Sequence, residues 1–258
     1  GYDLITDELS DFNLITTTRQ PVLGGGQTSY ALAGFFGRIN YDYKGKYLLE
    51  ISGRYDGTSR FAEGHRFGFF PSASLGWRIS EEPWFAPAKD VMNNLKLRAS
   101  FGSLGNQKVT NNAWMRKITF DNFAGYSFDG SAMGRYATIS APNASDLTWE
   151  TSTQYNVGID AGMFNDKLTF TAEGFIRDTK GMLQQGVALP GVYGANSPLM
   201  NSADLRTSGY ELSISWRDQF EIAGRPFGYS VVANLSDNKT IITKYDNPER
   251  TFAKDYYE

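Results

Sequence analysis

From Phe35 onward the chain alternates apolar and polar residues with a period of two. In the run from Phe35 to Tyr43 the odd positions are Phe35, Gly37, Ile39, Tyr41 and Tyr43, and the even positions are Phe36, Arg38, Asn40 and Asp42. After a short hairpin turn at Lys44–Lys46, the series Tyr47, Leu49, Ile51, Gly53, Tyr55 alternates with Leu48, Glu50, Ser52, Arg54, Asp56. Successive side chains of a strand point to opposite faces, so this pattern builds a sheet with one apolar and one polar face. Six further runs repeat it, over residues 67–79, 95–101, 149–161, 168–176, 210–216 and 227–235. The reading is about eight strands and no amphipathic helix.

The connections alternate in length. The one at 44–46 is tight, 57–65 is longer and 80–94 intermediate, 103–148 is very long, 163–167 is tight, 181–208 is long, and 218–226 is shorter again. Tight turns at one end and long loops at the other describe an up-and-down barrel, with the tight turns inward of an outer membrane and the long loops outside. A soluble sandwich also has one apolar and one polar face. Run length favours the membrane, because several runs reach the ~9–11 residues a tilted strand needs to cross, against a mean of about 5–6 in soluble proteins. Aromatics also gather on the apolar face at the strand ends: Tyr41, Tyr43, Tyr47, Trp77, Phe164, Trp216 and Phe227 near short turns, and Tyr55, Phe67 and Trp149 near long loops. Two such girdles suit the two bilayer interfaces, where a ring has an apolar body and a polar tip. Full charges at mid-strand on the other face (Glu50, Arg54, Arg98, Asp160) suit a wet lumen. The expected fold is all-β, an antiparallel up-and-down transmembrane β-barrel segment.

Composition narrows the chemistry. Lys and Arg number 25 against 28 Asp and Glu, a net charge of −3 that gives no basic face for nucleic acid. There is no cysteine and one histidine, His65, set in the turn Glu63-Gly64-His65-Arg66 with no nucleophile or orienting carboxylate at a triad spacing. The acidic stretch Asp3, Asp7, Glu8, Asp11 lacks the EF-hand pattern and its glycine. Gly24-Gly25-Gly26-Gln27-Thr28 lacks the lysine of a phosphate loop. No cofactor, no metal and no enzymatic activity are expected.

Several strings then become familiar. They are Arg54-Tyr-Asp-Gly-Thr-Ser-Arg-Phe-Ala-Glu-Gly-His65, Arg66-Phe-Gly-Phe-Phe-Pro-Ser-Ala-Ser-Leu-Gly-Trp-Arg-Ile-Ser80 and Leu95-Lys-Leu-Arg-Ala-Ser-Phe-Gly-Ser-Leu-Gly-Asn-Gln107. Farther on come Asp146-Leu-Thr-Trp-Glu-Thr-Ser-Thr-Gln-Tyr-Asn-Val-Gly158, Leu168-Thr-Phe-Thr-Ala-Glu and Asn201-Ser-Ala-Asp-Leu-Arg-Thr-Ser-Gly-Tyr-Glu-Leu212. In this order they resemble the barrel of SusC/RagA-type TonB-dependent transporters of Bacteroidota, over roughly Ala31 to Asn238. The resemblance implies a larger barrel with an N-terminal plug, a SusD-like surface lipoprotein as lid, energy from TonB–ExbB–ExbD, and an oligosaccharide or peptide as cargo. It implies a place in the outer membrane, in contact with its lipid. No plug, TonB box or closing C-terminal strand is recognised in these residues. At about 32 residues per strand, a plugged barrel of ~22 strands needs roughly 700 residues, so the chain is expected to supply about a third of one, as an open arc needing neighbours on both edges.

On this basis residues 1–30 are expected to be an extracellular loop segment and 31–238 transmembrane strands with long outer loops at 103–148 and 181–208. Residues 239–258 are expected to begin a further outer loop. The loop at 103–148 interleaves aromatics with amides and carboxylates, among them Trp114, Asp121, Asn122, Phe123, Tyr126 and Phe128. These groups contact the lid protein or pack the loop on itself; contact with cargo is the third possibility. Trp84 and Phe85 are expected to anchor the short-turn side at the inner interface. Import of nutrients leads. An adhesin or structural barrel without uptake is the alternative, and an outer-membrane enzyme stands third.

Overall fold

The structure, a computed structural model, describes residues 3–4, 15–16, 27–121, 136–139, 146–186, 190–193 and 197–245. Eight strands form one antiparallel sheet: β1 (Leu32–Tyr43), β2 (Tyr47–Thr58), β3 (Phe67–Arg78), β4 (Asn94–Asn106), β5 (Glu150–Met163), β6 (Leu168–Gln185), β7 (Leu199–Ile222) and β8 (Arg225–Tyr245). Each strand pairs with the next in chain order. The order is linear, so among the described residues β1 and β8 each keep one unpaired edge and the sheet is an open arc. Two short pairs, Asp3–Leu4 with Ile15–Thr16 and Ile118–Asp121 with Tyr136–Ile139, form separate sheets. Among the described residues no helix is long and apolar enough to cross a membrane.

The register carries the alternation from strand to strand. One row on the apolar face runs Tyr43, Tyr47, Trp77, Leu97, Ile159, Ala172, Leu212, Leu235. The neighbouring row on the other face runs Asp42, Leu48, Gly76, Arg98, Gly158, Glu173, Glu211, Ser236. A one-residue slip at any junction would swap the faces of every strand beyond it.

The same register measures the tilt. Tyr47 and Trp77 lie at the short-turn end of β2 and β3, yet their row reaches β8 at Leu235. The aromatic at the short-turn end of β8 is Phe227, eight residues farther along the strand. That is about 26 Å at ~3.3 Å per residue, gained over six inter-strand steps of ~4.8 Å. The slope is about 40°, within the range of membrane barrels. At that tilt a 12-residue strand such as β1, β2 or β3 rises about 30 Å, enough for the hydrocarbon core. The 24 residues of β7 rise about 60 Å, so β7 runs well past the hydrocarbon core, its long-loop end near Leu199 standing outside with the far end of β8.

The strands overrun the loops expected from sequence. β8 continues to Tyr245, past the expected boundary at 238, and β7 occupies the second half of the expected 181–208 loop. The connection expected at 218–226 shrinks to Ala223 and Gly224, whose φ of 52° and 74° make the two-residue turn that fits the strand twist. The apolar/polar contrast fades beyond the membrane at either end, where both faces meet water, so periodicity cannot show these extensions.

At the outer end β3 and β4 separate. Their pairing begins only at Ser72–Gly102. Phe61, Phe70, Leu147 and Trp149 form a buried cluster beside this fork. Trp149 corrects an expectation: it is 9% exposed and belongs to the cluster, not to an interface girdle. Its ring lies 5.3 Å from that of Phe70 and 5.6 Å from that of Phe61, and its indole N–H donates to the Arg66 carbonyl at 3.1 Å. Trp149 precedes the first residue of β5, so the alternation of the strand no longer sets its face. A Cβ on Gly105 would meet the Phe70 ring at 2.0 Å, so only glycine allows this approach.

One side chain ties the outer loops to this base. The Asn201 amide donates to the carbonyls of Thr148 at 3.0 Å and Gly181 at 2.6 Å, and its Oδ1 accepts from the Thr148 N–H at 3.0 Å. Asn201→Ala removes all three bonds. Limited proteolysis of the full polypeptide in outer-membrane vesicles is expected to become faster, at least severalfold, near 148 and at the outer end of β6 near 181, with the membrane-embedded parts of the strands uncut. Unchanged cleavage would remove Asn201 as the tie.

Candidate functional site

The polar face of the sheet is the candidate. Its middle is an ionic and amide lattice. Arg98 sits between Asp160, at 3.3 Å, and Glu173. Arg38 faces Glu50 at 3.7 Å. The hydroxyls of Ser52 and Ser72 meet at 2.7 Å. Arg177 donates to Gln154 at 2.9 Å, and Gln154 donates to Asn156 at 2.8 Å. Two recesses in the sheet, of about 580 and 570 Å³, are lined mainly by these serines, amides and charged groups. Such a wall passes hydrogen bonds to a polar solute and offers no nucleophile–base pair. Among the described residues no cluster of His, Cys, Asp and Glu could hold a metal ion.

The other face is an exposed apolar band. Ile39, Leu75 and Val157 are each about 60–70% exposed, which costs free energy in water and none in hydrocarbon. Tyr41, Tyr43, Tyr47, Tyr55, Trp77, Trp216 and Phe227 all fall on this face. At the short-turn end Tyr43, Tyr47 and Trp77 stack in a row with centroids 6.3 and 6.4 Å apart. Trp216 donates to the Tyr229 hydroxyl at 3.0 Å, and Phe227 packs on Phe220 at 5.3 Å. At the long-loop end Tyr55 and Phe67 stack at 5.1 Å.

The inner row is locked by a residue not singled out from sequence. Glu82, between two 3₁₀ turns (Ile79–Glu81 and Pro83–Ala88), accepts from the Tyr47 hydroxyl at 2.7 Å, the Trp77 indole at 3.2 Å and Lys46 Nζ at 3.2 Å. These donors, the Tyr47 hydroxyl foremost, hold its carboxyl below the usual carboxylate range against the opposing effect of burial. Nothing in the string Glu81-Glu82-Pro83 distinguishes the buried carboxylate from the half-buried one beside it. In the next turn Trp84 is exposed, whereas Phe85 is buried, so of the two expected anchors only Trp84 faces outward.

The loop residues proposed for binding divide. Trp114 is half-buried, and its indole N–H is shielded from solvent with no partner among the described residues. Asp121 ends the strand Ile118–Asp121, opposite Tyr136. Asn122, Phe123, Tyr126 and Phe128 lie outside the described residues, as do most of 1–30 and 246–258.

A tilted antiparallel sheet with an apolar band, two aromatic margins and a polar inner wall defines the wall of an outer-membrane β-barrel. The chain belongs to the TonB dependent receptor-like β-barrel family, whose model matches residues 1–256. It is 33% identical to the TonB-dependent receptor SusC of Bacteroides thetaiotaomicron, over all of this chain and 24% of that protein. It is 32% identical to the TonB-dependent receptor P26 of Formosa agariphila, over 92% of this chain and 23% of that one. Among solved structures it is similar to the RagAB peptide importer in its closed-closed state, with TM-score 0.75 and 27% identity over 93% of this chain and 25% of that one. The chain thus spans about a quarter of the length of the relatives it matches. The family's proteins are transporters and receptors of the outer membrane, not enzymes.

The Glu82 clamp has a pH signature. Its carboxyl is depressed in the folded protein, so the stabilisation is complete above the ordinary glutamate value of ~4.3 and is lost as pH falls through the folded value. Fluorescence of a full polypeptide keeping Trp77 as the only tryptophan is expected to stay constant from pH 8 to about 5 and to change in more acid solution. Glu82→Gln should abolish that transition. A transition that survives the substitution would assign it to another group.

Proposed function

We propose that the full polypeptide is a SusC-like, TonB-dependent importer of nutrients across the outer membrane, and that this chain supplies part of its barrel wall and outer loops. The observation that carries the reading is the family match along nearly the whole chain, on a sheet with one polar and one apolar face. A segment outside this chain would plug the lumen and couple it to TonB–ExbB–ExbD. A SusD-like surface lipoprotein would close the outer mouth, over the long-loop ends of β7 and β8 and the loops at 103–148 and 181–208. Oligosaccharides and peptides are the cargo classes, the second favoured by the likeness to a peptide importer. The inner wall of serines, amides and paired charges suits either, because both carry many hydrogen-bonding groups and few apolar ones.

The test is uptake by cells that make or lack the full polypeptide, with labelled oligosaccharides and peptides. Import predicts accumulation of at least one class that depends on the polypeptide and collapses when the proton-motive force is dissipated. Surface binding without accumulation, unaffected by dissipation, would favour an adhesin or structural barrel.

A further inference from the structure

Charge is unevenly spread over the lipid-facing side of the sheet. The outward positions of β1 to β5, from Ala33 to Met163, hold no charged residue. On β6, β7 and β8 the outward row is apolar as far as Ile176, Tyr210 and Leu235 and then, toward the long-loop end, turns ionic. Beyond those three residues stand the cations Lys180, Arg206, Lys239 and Lys244 and the carboxylates Asp178, Asp204 and Asp237.

The register gathers the three lysines around Arg206. Arg206 lies opposite Asp178 on β6 and Ile241 on β8. Lys180 is two residues beyond Asp178, and Lys239 is two residues before Ile241. Lys244 lies opposite Asp204, which is two residues from Arg206 on the same face. Each lysine is thus a diagonal neighbour of Arg206, with backbones roughly 7–8 Å apart, a spacing that long side chains bridge. All four residues are exposed.

Two of the three carboxylates are engaged. Asp178 takes two bonds from the guanidinium, Nε to Oδ1 at 2.6 Å and Nη2 to Oδ2 at 2.9 Å, which fixes its plane and leaves Nη1 unbonded among the described residues. Asp204 Oδ1 accepts from the Gly181 N–H at 2.8 Å. Lys180, Lys239 and Lys244 form no ion pair among the described residues.

The tilt gives the patch a height. At about 40° each residue rises about 2.5 Å. Lys180 stands twelve residues past Leu168, Arg206 ten past Trp216 and Lys239 twelve past Phe227, so all three lie about 25–30 Å above the inner aromatic margin. An outer-membrane barrel carries an apolar band about 25 Å tall. The cations therefore begin where the hydrocarbon ends, at the level of the outer-leaflet headgroups. A lipid-facing cation is costly at the midplane and nearly free at this level, where its neighbours are headgroup anions.

We propose that Lys180, Arg206, Lys239 and Lys244 form a site on the lipid-facing side of the barrel for the phosphate groups of an outer-leaflet glycolipid. The vertical extent favours a glycolipid over a glycerophospholipid. Lys244 stands about 40 Å above the inner margin, so the cations cover about 10–15 Å, whereas one headgroup layer is only about 5–8 Å thick. A sugar headgroup that continues upward and carries anions along its length matches such a column. The site depends on the membrane location alone and holds for an importer and an adhesin alike, so its failure leaves the import reading untouched.

The full polypeptide, purified in neutral detergent, would be titrated with three fluorescently labelled lipids. They are a phosphorylated lipopolysaccharide, the same lipopolysaccharide stripped of phosphate with hydrogen fluoride, and phosphatidylglycerol. The phosphorylated lipopolysaccharide is expected to bind about twentyfold tighter than either of the others. Lys239→Gln with Lys244→Gln, which leaves the Asp178–Arg206 pair intact, should remove that preference, at about fivefold for each lysine. Lys44→Gln with Lys89→Gln, at the opposite margin, should leave it unchanged. Should the first double variant fail to assemble, Lys180→Gln alone decides, with an expected loss of about fivefold. Equal affinity with and without phosphate overturns the site, as does a loss shared by the opposite-margin variant. Phosphatidylglycerol binding as tightly as the phosphorylated lipopolysaccharide overturns the glycolipid assignment. Unchanged glycolipid affinity in the double variant, together with loss of a surface protein from the purified complex, would give the patch to that protein and overturn the lipid site.

Discussion

The constraint on which the rest depends is that hydrocarbon offers no partner to a backbone N–H or C=O. Every strand in the membrane must spend those groups on its neighbours, which forces an extended, laterally continuous ladder. The ladder fixes the alternation of side chains, and the alternation lets one sheet meet lipid on one face and water on the other. The tilt of about 40°, read from the drift between Leu235 and Phe227, follows from the same ladder once it curves to close. The unpaired edges of β1 and β8 state the remaining demand. In the membrane both must be covered by further strands, in keeping with a chain that spans about a quarter of its relatives.

Polar groups are then distributed by what each face can tolerate. On the inner wall charges come in opposed sets, as around Arg98, so the wall is polar without being strongly charged. At the inner margin Glu82 gathers the polar tips of Tyr47 and Trp77 with Lys46, and so holds the aromatic row against the adjoining 3₁₀ segment. At the outer margin the organisation passes from backbone ladder to side chains: the Trp149 cluster fills the fork between β3 and β4, and Asn201 ties the loop at Thr148 to the outer end of β6 at Gly181. Above that base the segments 59–66 and 107–117 carry five cations against one carboxylate.

Much of the wall was legible in the sequence, and the reason is physical. Inside the membrane every second residue is constrained by the same solvent, so Phe35–Tyr43 or Leu168–Ile176 announce both strand and face. Where both faces meet water that constraint lapses, and the outer parts of β7 and β8 read as loop. Trp149 misled for a related reason: it is aromatic and next to a strand, but one residue outside the ladder it answers to local packing. Glu82, Asn201 and Arg60 could not be singled out because the partners they tie lie 35, 53 and 51 positions away in the chain. No local pattern encodes such a meeting.

The central claim is that odd and even positions of one strand face different solvents. The chain has no cysteine, so single cysteines can be placed along β2 from position 47 to 56 in the full polypeptide, in an otherwise cysteine-free background. Each would be challenged in intact outer membranes with a membrane-impermeant thiol reagent and with a lipid-soluble one. The account predicts strict alternation, with 48, 50, 52, 54 and 56 reached from water and 49, 51, 53 and 55 from lipid. Labelling from water on both parities, or a pattern without the period of two, would contradict it.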